Sequence, residues 1–294
     1  MEGKTIRYAV ESYFLKLCNY LQFLFNLIFI SNLEWRRVMY EKLLMKTALL
    51  AGKILMENGA EVYRTEDTLE RIIKHGVGDN RIDEYYTHVT LTGIFIRIEK
   101  LGTDFRRVGD RTYNLTKISE VNSLSRAFTS GKISLPDMYK ALKRVQEEKS
   151  PIKDWFKVLC SGVLSGSIVL IFDGNFWDVI PGGIAGAVAF YVYIKVIDYL
   201  KAPFISEYIS TFVGGVAGYI GFALLNGYSL RLAMIGAVVP LVPGITITNS
   251  MRDIIARQFI SGSIRFIESF CVAFALGAGI VTVYFIVRLL GGVV

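Results

Sequence analysis

The chain has 294 residues, 52% of them hydrophobic, with a mean hydropathy of +0.42, a formal charge of +7 and a pI near 9.2. Residues 1–150 hold 24 Lys/Arg and 19 Asp/Glu, whereas residues 151–294 hold only 9 and 7, so a charged front is followed by an apolar back, which excludes a single soluble domain. The basic residues flank apolar segments and form no separate stripe, which excludes nucleic acid as a partner.

In chain order, Phe14 to Leu33 is apolar enough to suggest an extra span, but Lys16, Asn19, Gln22 and Asn26 interrupt it. It lacks the small-residue cleavage site of a signal peptide. Residues 39–152 read as a compact α/β domain. Glu41 to Met56 has leucines and alanines at helical spacing, with Asn58-Gly59 as its C-cap. Thr65-Glu66-Asp67 opens a second helix to about Lys74, with Thr65 as the expected N-cap. Ile82 to Glu99 is rich in β-branched and aromatic residues and reads as two strands, with Thr103 to Gly109 a third. The stretch 116–149 reads as helical, broken at Gly131, with Pro136 near the start of its last helix.

This front half offers no enzyme. It has Ser119, Ser123, Ser125 and His88, but no GxSxG elbow, no HExxH and no phosphate-cradling glycine loop. Cys18, Cys160 and Cys271 lie far apart, and His75 and His88 are the only histidines, so no metal, disulfide or cofactor is expected. The acidic residues Glu61, Glu66, Asp67 and Glu70 read as a solvated helix face.

Residues 153–294 read as the membrane domain, because five segments are long and apolar enough to span lipid: roughly 155–172, 176–197, 204–225, 229–248 and 264–288. Lys143, Arg144, Lys149, Lys153 and Lys157 before the first span place that side in the cytoplasm. Asp173-Gly174-Asn175 has no cation and falls outside, Lys195 and Lys201 flank the next turn inside, and Asn226-Gly227-Tyr228 falls outside. Residues 249–265, with Arg252, Arg257 and Arg265, then return inside, so the front domain is cytoplasmic and the C-terminus outside. The pairs Gly162/Gly166, Gly182/Gly186 and Gly214/Gly218 have the spacing of close helix packing. They read as contacts within one bundle, or, on a second reading, as a face that meets another subunit in an oligomer.

The fourth span is interrupted by Pro240 and Pro243, each of which removes a backbone donor, so it should break in the bilayer interior. Broken backbone at that depth must be buried in protein or line a cavity. A proline-kinked helix is one reading, and a transport pathway the other. In the second, Thr246, Thr248 and Asn249 supply hydrogen bonds below the break, and Arg252 and Asp253 sit at its mouth. Glu207 and Glu268, near the starts of the third and fifth spans, are costly in lipid and would pair with Arg252 or Arg265 or couple protons.

Three stretches together resemble one family: Glu57–Ile72 (ENGAEVYRTEDTLERI), Arg111–Arg126 (RTYNLTKISEVNSLSR), and VPLVPGITITNSMRDIIARQFISGSIR from Val239 to Arg265. They are similar to the threonine/serine exporter family, specifically its N-terminal-domain members of the YjjP type, from about residue 42 to 288. The resemblance implies an α-helical polytopic membrane protein of about five spans behind a cytoplasmic α/β domain, in the bacterial inner membrane. It implies export of a small polar metabolite, threonine or serine in some members and succinate or a similar dicarboxylate in others. On it, Pro243, Gly244, Asn249, Arg252 and Asp253 carry the membrane motif. Gly59, Ala60, Arg64, Glu66 and Asp67, with Asn114 and Asn122 of the second stretch, carry the cytoplasmic one, and no catalytic role transfers to any of them.

Two departures qualify the resemblance. Full-length members carry a second membrane block, so the expected partners are membrane lipid and a small membrane protein supplying that block. Residues 1–38 lie outside the resemblance, and Trp35-Arg36-Arg37-Val38-Met39 is encodable by a purine-rich ribosome-binding sequence running into an ATG. The expected native start is therefore Met39. The remaining alternative to an exporter is a membrane-anchored cytoplasmic domain that binds a ligand or hydrolyses a substrate without transport.

Overall fold

The computed structural model describes residues 34–78, 85–99, 101–148, 152–225 and 227–291. The Phe14–Leu33 segment, Cys18, Asn226 and the first residues of the expected strand at Ile82 lie outside them. The chain is mostly helical and divides after Glu147 into two compact units.

In the N-terminal unit a helix over 34–57 (α1) is followed by α2 (Val62–Val77), the strands β1 (Tyr85–Val89), β2 (Gly93–Ile98) and β3 (Gly102–Arg107), then α3 (Leu115–Thr129) and α4 (Leu135–Glu147). The strands form one antiparallel sheet in the order β1-β2-β3. In register, His88 faces Phe95 and Phe95 faces Phe105. Ile94, Ile96 and Ile98 are buried while Phe95 and Arg97 point outward, the period-two pattern of a half-covered sheet. Their buried face joins Leu50, Ile54, Leu69, Ile72 and Met138 in one core. Asn114 starts α3 with its side chain, which accepts from Lys117 N at 3.2 Å.

Thr65 is not the N-cap expected of α2. The helix starts at Val62 with Glu61 as N-cap, and the buried Thr65 hydroxyl donates to the Glu61 carbonyl at 2.9 Å. Val62 is wholly buried, and this extends the helix one turn ahead of the polar TED signal.

The second unit contains α5 (Asp154–Ile171), α6 (Phe176–Leu200), α7 (Ile205–Leu225), α8 (Leu230–Val238), a 3-10 turn (Val239–Leu241), α9 (Gly244–Ile255) and α10 (Phe259–Leu289). Four of these helices are long and apolar enough to cross a membrane, and the pair Leu230–Leu241 and Gly244–Ile255, bent by 55°, counts as a fifth if it is one span. This is a multi-pass membrane protein. The α6 helix packs on α5, α7 and α8, and α10 packs on α7 and α9.

The glycine pairs are used inside the bundle. A Cβ on Gly162 would meet Gly183 O at 3.1 Å, one on Gly214 would meet Ala185 O at 2.9 Å, and one on Gly236 would strike the Gly182 carbonyl. These helices therefore touch backbone to backbone, as small residues in lipid permit. Asp178 ties two of them at one end. Its buried carboxylate accepts from Tyr228 N at 2.7 Å and Ser229 N at 3.0 Å, just before α8, and from Asn175 N at 3.3 Å at the start of its own helix.

Candidate functional site

The fourth span breaks where its two prolines stand. Val239 N–H still bonds Ile235 O, but Pro240 has no N–H for the carbonyl of Gly236, and the chain tightens into the 3-10 turn. Pro243 (φ −79°, ψ 51°) leaves helical geometry and serves as the N-cap of α9, whose first turn no side chain caps. A Cβ on Gly244 would meet nothing within 4 Å, so the start of α9 is open. A helix N-terminus in such a place carries partial positive charge. Thr246 is half-buried in this first turn, and the exposed Thr248 hydroxyl donates to Gly244 O at 2.9 Å.

The buried face of α9 is polar: Asn249 and Ser250, with Asp253 one helical turn further on. Opposite it, α10 buries Ser261, Gly262, Arg265 and Ser269. Gly262 makes this seam close, since a Cβ there would lie 2.9 Å from Ser250 O and 2.6 Å from Ile254 Cγ1. Across it Arg265 Nε stands 3.6 Å from Asp253 Oδ2, with side chains 3% and 0% exposed. Arg265 is the one buried cation among the described residues. The pair's charges cancel, which is the condition for holding either in a low-dielectric interior.

The sequence suggests a loop over 249–265, and here the structure differs. Only residues 256–258 interrupt the helices, because no proline follows Pro243 and the polar seam gives α9 a partner face. Arg252 stays exposed at the end of α9, whereas Arg265 is drawn inside.

The two membrane carboxylates have different surroundings. Glu207 is buried and accepts from Phe204 N at 2.6 Å, so it caps its own helix. Glu268 is half-buried on α10, three residues beyond Arg265.

In the N-terminal unit the two motif stretches meet. Thr112 N donates to Glu57 O at 2.7 Å and Asn114 N to Asn58 O at 3.2 Å. Gly59 has φ 91°, and a Cβ on it would lie 2.5 Å from the Tyr113 ring. Ala60 follows it half-buried. Arg64, mostly exposed, lies 3.6 Å from the buried Glu61. Glu66 accepts from Val89 N at 3.4 Å and stands 3.8 Å from His88 Nδ1, whereas Asp67 pairs with Arg71 on the surface. The acidic residues are therefore not all solvated: Glu61 is buried and Glu66 reaches β1. Asn122 is half-buried further along α3. These contacts knit the end of α1 to the loop before α3.

Comparison with known proteins adds the following. The sequence model of the threonine/serine exporter family (ThrE) matches residues 46–287. A threonine/serine exporter of Corynebacterium glutamicum is 25% identical over 254 residues, which is 80% of this chain and 50% of that protein. An uncharacterized protein of Schizosaccharomyces pombe is 25% identical over 181 residues, 59% of this chain and 22% of that one. The chain thus spans about half, or less, of the curated relatives it matches. No solved structure matches.

Proposed function

This chain belongs to the threonine/serine exporter family, and on that premise we propose that it carries a small zwitterionic amino acid, threonine or serine, across a membrane past the broken fourth span. The observation that carries the proposal is the buried Asp253–Arg265 pair, with Asn249 one turn before Asp253, on the helix that follows the break and its neighbour α10. A carboxylate and a guanidinium in one dry seam offer an acceptor for a substrate ammonium and a donor for its carboxylate. An amino acid brings both charges at once and leaves the seam neutral. A dicarboxylate such as succinate brings two negative charges and leaves it charged, which favours the amino acid. The open first turn of α9 and the exposed Arg252 suit a carboxylate of either substrate.

In this reading Pro240, Pro243 and Gly244 create the break, while Thr246, Thr248, Asn249 and Asp253 line the route after it. Glu207 supports α7, and Glu268, half-buried on α10, is the carboxylate proposed for coupling. The lysines before α5 and the arginines of 252–265 put the N-terminal unit on the cytoplasmic side of a bacterial inner membrane and the C-terminus outside. A small membrane protein is proposed to act with this chain in export. The reading of the membrane unit as a mere anchor has no observation in its favour.

The test is efflux from cells loaded with labelled threonine, serine or succinate, expressing this chain alone or with a membrane protein encoded beside it. Efflux of threonine or serine that needs the second protein and disappears in an Asp253→Asn/Arg265→Gln double variant that still folds supports the whole reading. Efflux by this chain alone removes the partner, and no efflux in any combination removes the exporter.

A further inference from the structure

Two polar groups in the membrane unit lack what helices normally provide. One is the Gly236 carbonyl, whose donor in a regular helix would be the N–H of residue 240, a proline. The other is the hydroxyl of Ser165 on α5. Ser165 is wholly buried, and its Oγ has no hydrogen-bond partner among the described residues. The other two serines of α5 are accounted for: Ser161 donates to Gly186 O at 3.1 Å and Ser167 to Val163 O at 2.9 Å.

The two groups border the same spot. A Cβ built on Gly186 of α6 would collide with Ser165 Oγ and lie 2.8 Å from Gly236 O. Gly186 thus leaves open the place where a hydroxyl of α5 and a carbonyl of α8 approach one another. The carbonyl belongs to the residue four before Pro240, at the last regular turn before the break. A rotation of that turn would bring the hydroxyl and the carbonyl within hydrogen-bond distance, and a buried hydroxyl without a partner gains from such pairing.

We propose that Ser165 is a positioning residue for the broken span. Its hydroxyl takes the Gly236 carbonyl that Pro240 has deprived of a donor, and so stabilises a second setting of the α8–α9 break. The proposal rests on the exporter reading only for its efflux readout. Ser165 does not touch substrate, and acts through the angle at which α9 leaves α8.

The test is a double-substitution cycle with Ser165→Ala and Pro240→Ala, because alanine at 240 returns an N–H to Gly236 and makes the serine redundant. Efflux is measured for the four proteins in the intact chain. The distance distribution between spin labels at the exposed positions Val163 on α5 and Ile255 on α9 is measured with Cys18, Cys160 and Cys271 replaced by alanine. Ser165→Ala is expected to slow efflux about tenfold when Pro240 is present and less than about twofold when it is not. The same substitution is expected to remove one distance population in the first background and to change nothing in the second. Equal effects in both backgrounds, or none in either, overturn the proposal. Should Pro240→Ala abolish efflux, the spin-label distances decide by the same criterion. The expected distance pattern without efflux from any of the four supports the role of Ser165 and counts against the exporter reading alone.

Discussion

Arg265 faces Asp253 at 3.6 Å across a seam that Gly262 holds closed, and both side chains are almost fully buried in a unit otherwise built of apolar helices. Such a pair is a poor device for stability alone, because desolvating two charges takes back most of their attraction. Its place, between the helix that follows the break and α10, fits the proposed use in recognition.

Removing one partner leaves the other charge buried and uncompensated. Asp253→Asn and Arg265→Gln are each expected to lower the stability of the detergent-purified protein by about 3–5 kcal/mol. The double substitution is expected to recover most of that stability without recovering efflux. Thermal unfolding and efflux of the three variants separate the two roles, and recovery of both together would make the pair structural.

Straightening the break should be favourable for folding and harmful for transport. Pro243→Ala permits α9 to extend back through position 243, which a proline inside a helix would oppose by about 3 kcal/mol. It is expected to raise the unfolding temperature and to slow efflux at least tenfold. Unchanged efflux in a stabilised protein would show that the bend is incidental.

Two glycines on either side of the break have opposite surroundings. A side chain at Gly236 would strike the Gly182 backbone, so Gly236→Ala is expected to destabilise by about 1–3 kcal/mol. Gly244 faces open space at helical geometry, and Gly244→Ala is expected to be neutral or stabilising by up to about 1 kcal/mol. Unfolding temperatures measured side by side check both signs.

Glu207 caps α7 through the Phe204 N–H. Glu207→Gln keeps an acceptor and is expected to leave the pH dependence of efflux unchanged, whereas Glu207→Ala loses about 1 kcal/mol of stability. A flattened pH profile in Glu207→Gln would return this residue to proton coupling.

Much of the fold was legible in the sequence because lipid imposes strong local rules. Length and apolar composition identify the spans, and Pro240 and Pro243 locate the break to the residue. The glycine spacings point to tight crossings, and the partners Gly183, Ala185 and Gly182 lie in the same chain. Period-two alternation marks β2. What local pattern does not carry is which helix meets which. The Arg265–Asp253 pair, the Asp178 clasp on the start of α8 and the meeting of Thr112 with Glu57 all join residues on separate elements. Thr65 misled because a hydroxyl before acidic residues resembles a cap wherever it falls, and the buried Val62 extends α2 ahead of it. Sequence places Arg265 among the cytoplasmic arginines at the start of the fifth span, because composition cannot tell an arginine at a helix mouth from one that a helix buries against an aspartate.

The most direct measurement is efflux of labelled threonine, serine and succinate, loaded separately, through the wild-type chain and the Asp253→Asn/Arg265→Gln double variant, each expressed with the proposed membrane companion. The account predicts efflux of threonine or serine, retention of succinate, and loss of efflux in a double variant that still folds. Export of succinate with retention of both amino acids, or wild-type efflux from the double variant, would contradict it.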